Sequence, residues 1–325
     1  MKSTKLFRAF VSVALALVAV QTHAQTYPTK PVRVVTPQPV GSGSDLAIRL
    51  VADYLSRTWS QPVIVENRTG ASGFIAMGVV KSAAADGYTL AFASSSHLTT
   101  HPLLYKKLPY DPARDFEAVI PLFKNYFFIV VPTTAPWKNV ADMIAAAKAK
   151  PGALNYGSGF VGSPGHLGGA ALEFATGTQM VHVPFKETSQ LFASVGQGDI
   201  GWTLASPGTA GAAVSTGKVR LLAIAAPSRL PAYKDIPTVA EAGGPAKFEV
   251  VAWTGIVAPT HTPVAIVDKI NRDIARAVAE PDIRQRFTVF GYDPYIMSPK
   301  EMSKLMAAET AQYAPVVKRL NVSLD

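Results

Sequence analysis

Beyond residue 30 the chain alternates between short apolar runs and longer stretches with apolar residues at helical spacing. VRVVTP (32–37), PVIVENR (62–68) and YTLAFASSS (88–96) predict strands, since short runs of β-branched and aromatic residues suit a buried sheet. LAIRLVADYLSRTW (46–59) and FIAMGVVKSAA, which follows Gly70 and Gly73, predict the helices between them. The second half repeats the pattern. FFIVVP (127–132), MVHVPF (180–185), DIGWTLAS, VRLLAIAA (219–226) and VVAWTGIVAP (250–259) predict strands. VADMIAAAKAKPG (140–152), LFASVGQG, TAGAAVSTGK and the segments 263–279 and 299–319 predict helices, the first stopped by Pro151 and Gly152. Such alternation implies an α/β fold with parallel strands and crossover helices. Two strand-like segments, 117–131 and 247–257, join the halves, which points to two crossovers rather than one flexible tether.

The first residues read as an export signal. Lys2, Lys5 and Arg8 precede the apolar run FVSVALALVAV (10–20), and Thr22-His23-Ala24 supplies small residues at a cleavage site. The signal peptide is then 1–24, with Gln25 opening the mature chain; an uncleaved anchor is the alternative. Removing Lys2, Lys5 and Arg8 takes the formal charge from +9 to +6, a balance that suits an anionic ligand. No Lys/Arg block is interleaved with aromatic residues, so nucleic acid is not an expected partner. The chain has no cysteine, which excludes disulfides, thiol nucleophiles and iron–sulfur ligation.

Catalytic patterns are missing. There is no H-E-x-x-H and no G-x-S-x-G. His97 and His101 stand four apart, but capping or packing explains the pair better than a metal, and no cofactor is expected. Asp111, Asp115 and Glu117 in YDPARDFE resemble paired carboxylates and equally well a turn. Gly157, Gly159 and Gly162 fit G-x-G-x-x-G, yet no acidic residue follows at the distance a ribose needs. What remains is a set of loops of small polar residues where strands give way to helices: 37–45, 93–97 and 156–166. Helix N-termini carry unpaired N–H groups and partial positive charge, so such loops can hold a carboxylate or phosphate. An ordinary N-cap and turn would account for any one of them alone. Together they favour an anion held between two domains.

The motifs YPTKPVRVVTP, QPVIVENRTGASG, ADGYTL, LPYDPARDFEAV, AKAKPGALNYGSG, HLGGAALEFATG, HVPFK, GKVRLLAIAAPSRLPAYKDIPTVAEAG and WTGIVAPTHTP follow one another in this order. In this the mature chain resembles, along its whole length, the substrate-binding proteins of tripartite tricarboxylate transporters, the Bug family. The resemblance implies a two-lobed periplasmic binding protein of type II-like α/β architecture. Each lobe would be a mostly parallel sheet flanked by helices, with lobe 1 formed by 25–123 and 250–325 and lobe 2 by 124–249. It implies a small carboxylate ligand in the cleft, a monomer, and delivery to the membrane subunits of the transporter; a sensor ectodomain is the alternative partner. It implies no enzyme, an exported hydrolase being the remote alternative. Carried onto this sequence, the first ligand loop is Pro39, Val40, Gly41, Ser42, Gly43, Ser44 and Asp45, with Ser94, Ser95 and Ser96 beside it. Asp45 suits capping its helix better than touching an anion. The second loop is Ser158, Gly159, Gly162, Ser163 and His166, with Lys186 nearby as a ligand group or a solvated lysine.

Three positions depart from the family pattern. Val40-Gly41-Ser42 replaces Pro-Gly-Gly, and Glu187 stands where a glycine often follows the lysine. Ala205 aligns with an Asp that could hold an ammonium group, so the expected ligand is a dicarboxylate or aromatic carboxylate without one. Phe74 and Trp202 are candidate apolar walls, or core residues.

Overall fold

The computed structural model describes residues 27–38, 40–159, 161–185, 187–320 and 324; the leader 1–24 lies outside them. Three parallel strands open the fold: β1 (Val32–Thr36), β2 (Val63–Asn67) and β3 (Thr89–Ser94). Helices α1 (Gly43–Trp59) and α2 (Phe74–Lys81) make the crossovers between them. The α1 helix starts three residues earlier than its apolar spacing predicts, because the Ser42 hydroxyl caps it by accepting from the Asp45 N–H.

Strand β4 (Phe116–Pro132) runs the length of the strand-like segment 117–131 and ends with the run FFIVVP. Its first part pairs antiparallel with β9 (Val251–Pro259), from Phe116↔Pro259 to Tyr126↔Val251. Its last part pairs with β7 (Trp202–Ala205) and β8 (Val219–Ala225) in the second half. Pro121 cannot donate to a ladder, and the register slips between Pro121 and Phe123. Gly255 faces it, and a Cβ there would stand 2.6 Å from the Ile120 carbonyl oxygen, so only glycine fits. The two joining segments thus pair with each other along a bulged antiparallel ladder.

The second half holds α3 (Val140–Ala149), β5 (Asn155–Ser158), α4 (Pro164–Thr176), β6 (Val181–Pro184), α5 (Thr188–Gln197) and α6 (Pro207–Val214). The strand order is β2-β1-β3-β9-β4-β7-β5-β6, with β8 and the short β10 (Asp293–Pro294) also on β4. β6-β5-β7 are parallel, while pairs to β4 and β9 are antiparallel, so the sheet is mixed. Helices α7 (Val264–Ala279), α8 (Pro281–Val289) and α9 (Pro299–Leu320) return the chain to the first half.

Each half buries its own apolar clusters. In the first, Val34, Phe92, Phe123 and Ile256 pack under Ile48 and Val51 of α1 and Ile270 and Ile274 of α7. On the opposite face Ala93, Trp253 and Val257 pack under Met77 of α2 and Met302 of α9. In the second, Ile129, Tyr156, Trp202 and Leu222 lie beneath Met143, and Phe128 and Ile224 beneath Leu191 and Ala210. A small cluster of Leu104, Leu167 and Val317 ties α4 to α9. Among the described residues no helix is long and apolar enough to cross a membrane.

Candidate functional site

The strand registers bring two sets of carboxyl ends face to face. β3 ends with Ser94 opposite Thr254, which itself pairs with Phe123 of β4. β7 approaches along β4 from the other direction and ends with Ala205 opposite Phe128. The two ends therefore stop five residues apart on one strand, roughly 17 Å at strand rise. The loops that follow β1, β3, β5 and β7 all leave from these facing ends, which is where open α/β sheets bind ligands.

In the first loop Asp45 is 1 % exposed, and both its oxygens are occupied. Oδ2 accepts from the Gly41 N–H at 2.9 Å and Arg49 Nε at 3.0 Å, and Oδ1 accepts from Asn67 Nδ2 at 2.7 Å. Burial raises the pKa of such a group, but the bonds from Arg49, Asn67 and Gly41 outweigh it and hold the carboxyl below the usual range. Asp45 orders the loop and stays charged, but it does not cap its helix as expected: Ser42 is the cap, and Asp45 accepts from Gly41 ahead of the helix instead. Gly41 turns the chain at φ +76°, Val40 is 74 % exposed, and Ser44 Oγ lies 3.3 Å from the Tyr292 hydroxyl. A Cβ on Gly43 would meet that same hydroxyl at 2.7 Å.

Beside this loop Ser94 Oγ is bonded to His97 Nδ1 at 2.7 Å, and Ser95 Oγ accepts from the Trp253 N–H at 3.4 Å. Ser96 begins a single wide turn, Ser96–Thr100, for which the sequence pattern predicts no element. Burial pushes His97 down to about 4 and His101 to about 3, so both are neutral near pH 7. Their rings stand 5.0 Å apart in an aromatic cluster with Phe74, Tyr105 and Tyr110. Phe74 is thus a packing residue of that cluster. Among the described residues no group of three or more metal-ligating side chains exists. Asp111 caps the turn Pro112–Asp115, and Asp115 pairs with Lys81 at 2.9 Å, so these carboxylates do structural work.

The second loop is built on two histidines. Ser163 caps α4 by accepting from the His166 N–H at 3.2 Å. His166 Nδ1 in turn accepts from the Gly162 N–H at 2.9 Å, which fixes the tautomer with hydrogen on Nε2. Gly162 sits at φ +84° against Leu104, where a Cβ would approach to 2.5 Å. Ser158, 1 % exposed, bonds His182 Nε2 through Oγ at 2.8 Å. Among the described residues nothing lies within 4 Å of a Cβ on Gly159. Burial pushes His166 and His182 down to about 4, with His166 adding to the effect on His182.

Ala205 is 5 % exposed, its methyl in the apolar cluster with Phe128 and Ala210, so that position offers no counter-ion. Trp202 is not a ligand wall: β7 is buried on both faces, and Trp202 is fully buried and stacked on Tyr156 at 5.1 Å. Pro39 and Lys186 lie outside the described residues. A seam closes beside the cleft, where a Cβ on Gly291 would reach Pro207 Cβ at 2.6 Å. Two surface hollows, around Phe174 and Arg319 and around Lys81 and Asp115, include none of the loop residues.

The sequence reading passes over His182, Asn67, Arg49 and Tyr292. His182 sits inside a strand-like run, and Tyr292 is 248 residues from its partner Ser44, so neither carries a local signal. Asn67 ends β2 beside Thr36, a place where only the strand pairing reveals its neighbours.

The profile of the tripartite tricarboxylate transporter family receptor matches residues 47–322. The chain is 29% identical to the protein BugT of Bordetella pertussis over 315 residues, 97% of this chain and 96% of that one. An R. palustris protein solved with adipate superposes with a TM-score of 0.79 at 31% identity, over 91% of this chain and 99% of that one. MatC from Rhodopseudomonas palustris with bound malate gives 0.74 at 30% identity, over 90% and 100%.

Proposed function

This chain belongs to the tripartite tricarboxylate transporter receptor family, and on that premise we propose that it captures a small carboxylate lacking an ammonium group. Members of the family are periplasmic solute-binding receptors, not enzymes. The ligand is a dicarboxylate or aromatic carboxylate, held between lobe 1 (25–123 and 250–325) and lobe 2 (124–249) and delivered to membrane subunits. The leader directs export and is cleaved near Ala24, and the receptor works as a monomer.

The carrying observation is that the loops after β1, β3, β5 and β7 leave from carboxyl ends that face each other across β4. Loops 38–45, 94–97, 158–163 and 205–207 contain one carboxylate, Asp45, and it is committed to Gly41, Arg49 and Asn67. No other acid in them could balance an ammonium group. Serine hydroxyls, glycine amides and the N-termini of α1 and α4 are matched to a carboxylate instead. Charge-assisted bonds contribute about 1.5–3 kcal/mol each, so a handful reaches micromolar affinity once lost motion is deducted. Adipate and malate in two relatives are ligands of this kind.

The test is a thermal-shift series on the chain from Gln25 onward with adipate, malate, citrate, aromatic carboxylates, aspartate and glutamate. A rise with carboxylates lacking nitrogen supports the reading. A rise with aspartate or glutamate alone refutes the ligand class, and silence across the series refutes carboxylate capture. Loss of uptake of the stabilising ligand in a deletion strain supports delivery; intact uptake with lost gene induction would show a sensor.

A further inference from the structure

Asn67 ends β2 directly beside Thr36, where the first loop leaves β1. Its amide uses both of its donors and accepts one bond through its oxygen. Nδ2 donates to the Gln38 carbonyl at 2.9 Å and to Asp45 Oδ1 at 2.7 Å, while Oδ1 accepts from Arg49 Nη2 at 2.6 Å. The opposite amide orientation would set an oxygen against a carbonyl and a carboxylate, so only this one is consistent. Gln38 opens the loop and Asp45 closes it within the first turn of α1. One side chain therefore clamps both ends of the segment 38–45.

We infer that Asn67 is a positioning residue for ligand capture: its two amide N–H groups fix loop 38–45 in the shape that binds the carboxylate. This rests on the ligand reading above. The residue touches no ligand itself; it acts through the backbone of Gly41, Ser42 and Gly43. Its charged neighbours are Asp45 and Arg49 on α1, while Glu66 on its own strand pairs with Arg33 of β1 and with Arg68 just past the strand end. An aspartate in its place keeps the shape but sets a carboxylate against Asp45, with no proton between them. Protonation of that pair returns one donor.

The test measures binding of malate and adipate by calorimetry to the wild type, Asn67→Asp, Asn67→Ser and Asn67→Ala, at about pH 8 and about pH 5. Two lost bonds predict an affinity loss of about tenfold or more in every variant at the higher pH. Only Asn67→Asp should recover toward the wild-type value at the lower pH, because only it gains a proton to donate. Hydrogen exchange of the ligand-free variants should quicken in 38–45 and leave β5 and α4 unchanged. Wild-type affinity in the variants overturns the inference, as does equal loss of Asn67→Asp and Asn67→Ala at both pH values. Exchange that quickens uniformly overturns it too, showing a general loss of stability. If the wild type binds neither compound, the ligand reading fails first, and the exchange pattern still decides whether Asn67 holds the loop.

Discussion

The imidazole rings of His166 and His182 stack with centroids 3.9 Å apart and planes 24° from parallel. One ring anchors the Gly162 amide and the other the Ser158 hydroxyl, so a single stacked pair holds both ends of the second loop. The stack is compatible with neutral rings and is disrupted by two cations. Burial enforces neutrality by lowering both groups to about 4.

Acid should therefore destabilise the protein through its histidines. Between about 6.5 and about 4 the unfolded chain binds protons that folded His166 and His182 refuse, and His97 acts in the same direction. Their contribution is complete above that window and lost as pH falls through it. Melting temperature measured across the window should drop, and His182→Gln should drop less steeply than the wild type.

Glu309 works in the opposite sense. Burial raises its carboxyl to about 7 against the lowering bonds from Trp253 and Thr99, and Trp253 Nε1 donates to it at 2.8 Å. The folded form holds a proton that the unfolded form has lost, so its contribution is full below about 4.5 and declines as pH rises toward about 7. Glu309→Gln keeps the acceptor and never ionises. Urea unfolding should show it gaining stability over the wild type at about pH 8 and matching it near pH 4.5.

Gly291 tests the seam between the halves. Alanine there must hold φ +73° and bring Cβ to 2.6 Å from Pro207. Backbone strain alone costs about 1–2 kcal/mol. Urea unfolding should show that modest loss, while malate or adipate titration shows a larger one, because the clash opposes closure. Unchanged affinity would mean that the bound form does not use this contact.

Trp202 carries a buried Nε1 with no hydrogen-bond partner among the described residues. Trp202→Phe removes the orphaned donor as well as packing volume, and the two effects oppose each other. The expected cost is about 1 kcal/mol, against about 3–5 kcal/mol for Trp202→Ala, read from urea midpoints.

Most elements were legible because their signals are local. The apolar spacing of 46–59 and the Pro-Gly stop at 151–152 need no tertiary partner to be read. Two features were not legible for a common reason. Strand β4 includes Glu117, Lys124, Asn125 and an internal proline, so its extended character is legible but its bulged pairing with β9 is not. The turn after Ser95 has no caps of its own and is held by Ser94, Tyr110 and Trp253 from elsewhere.

The sequence by itself determined the alternation of strands and helices, the small-polar loops at 37–45 and 156–166, the lack of thiol chemistry and the family. All but the family follow from side-chain type and spacing along a few neighbouring residues; the family rests on the resemblance of motifs in order along the whole chain. Tertiary structure alone decided which strand ends face each other, that Trp202 is fully buried, that His182 stacks on His166, and that Asn67 clamps both ends of a loop. These depend on register and burial, and a one-residue shift in pairing would turn every such side chain to the other face of the sheet.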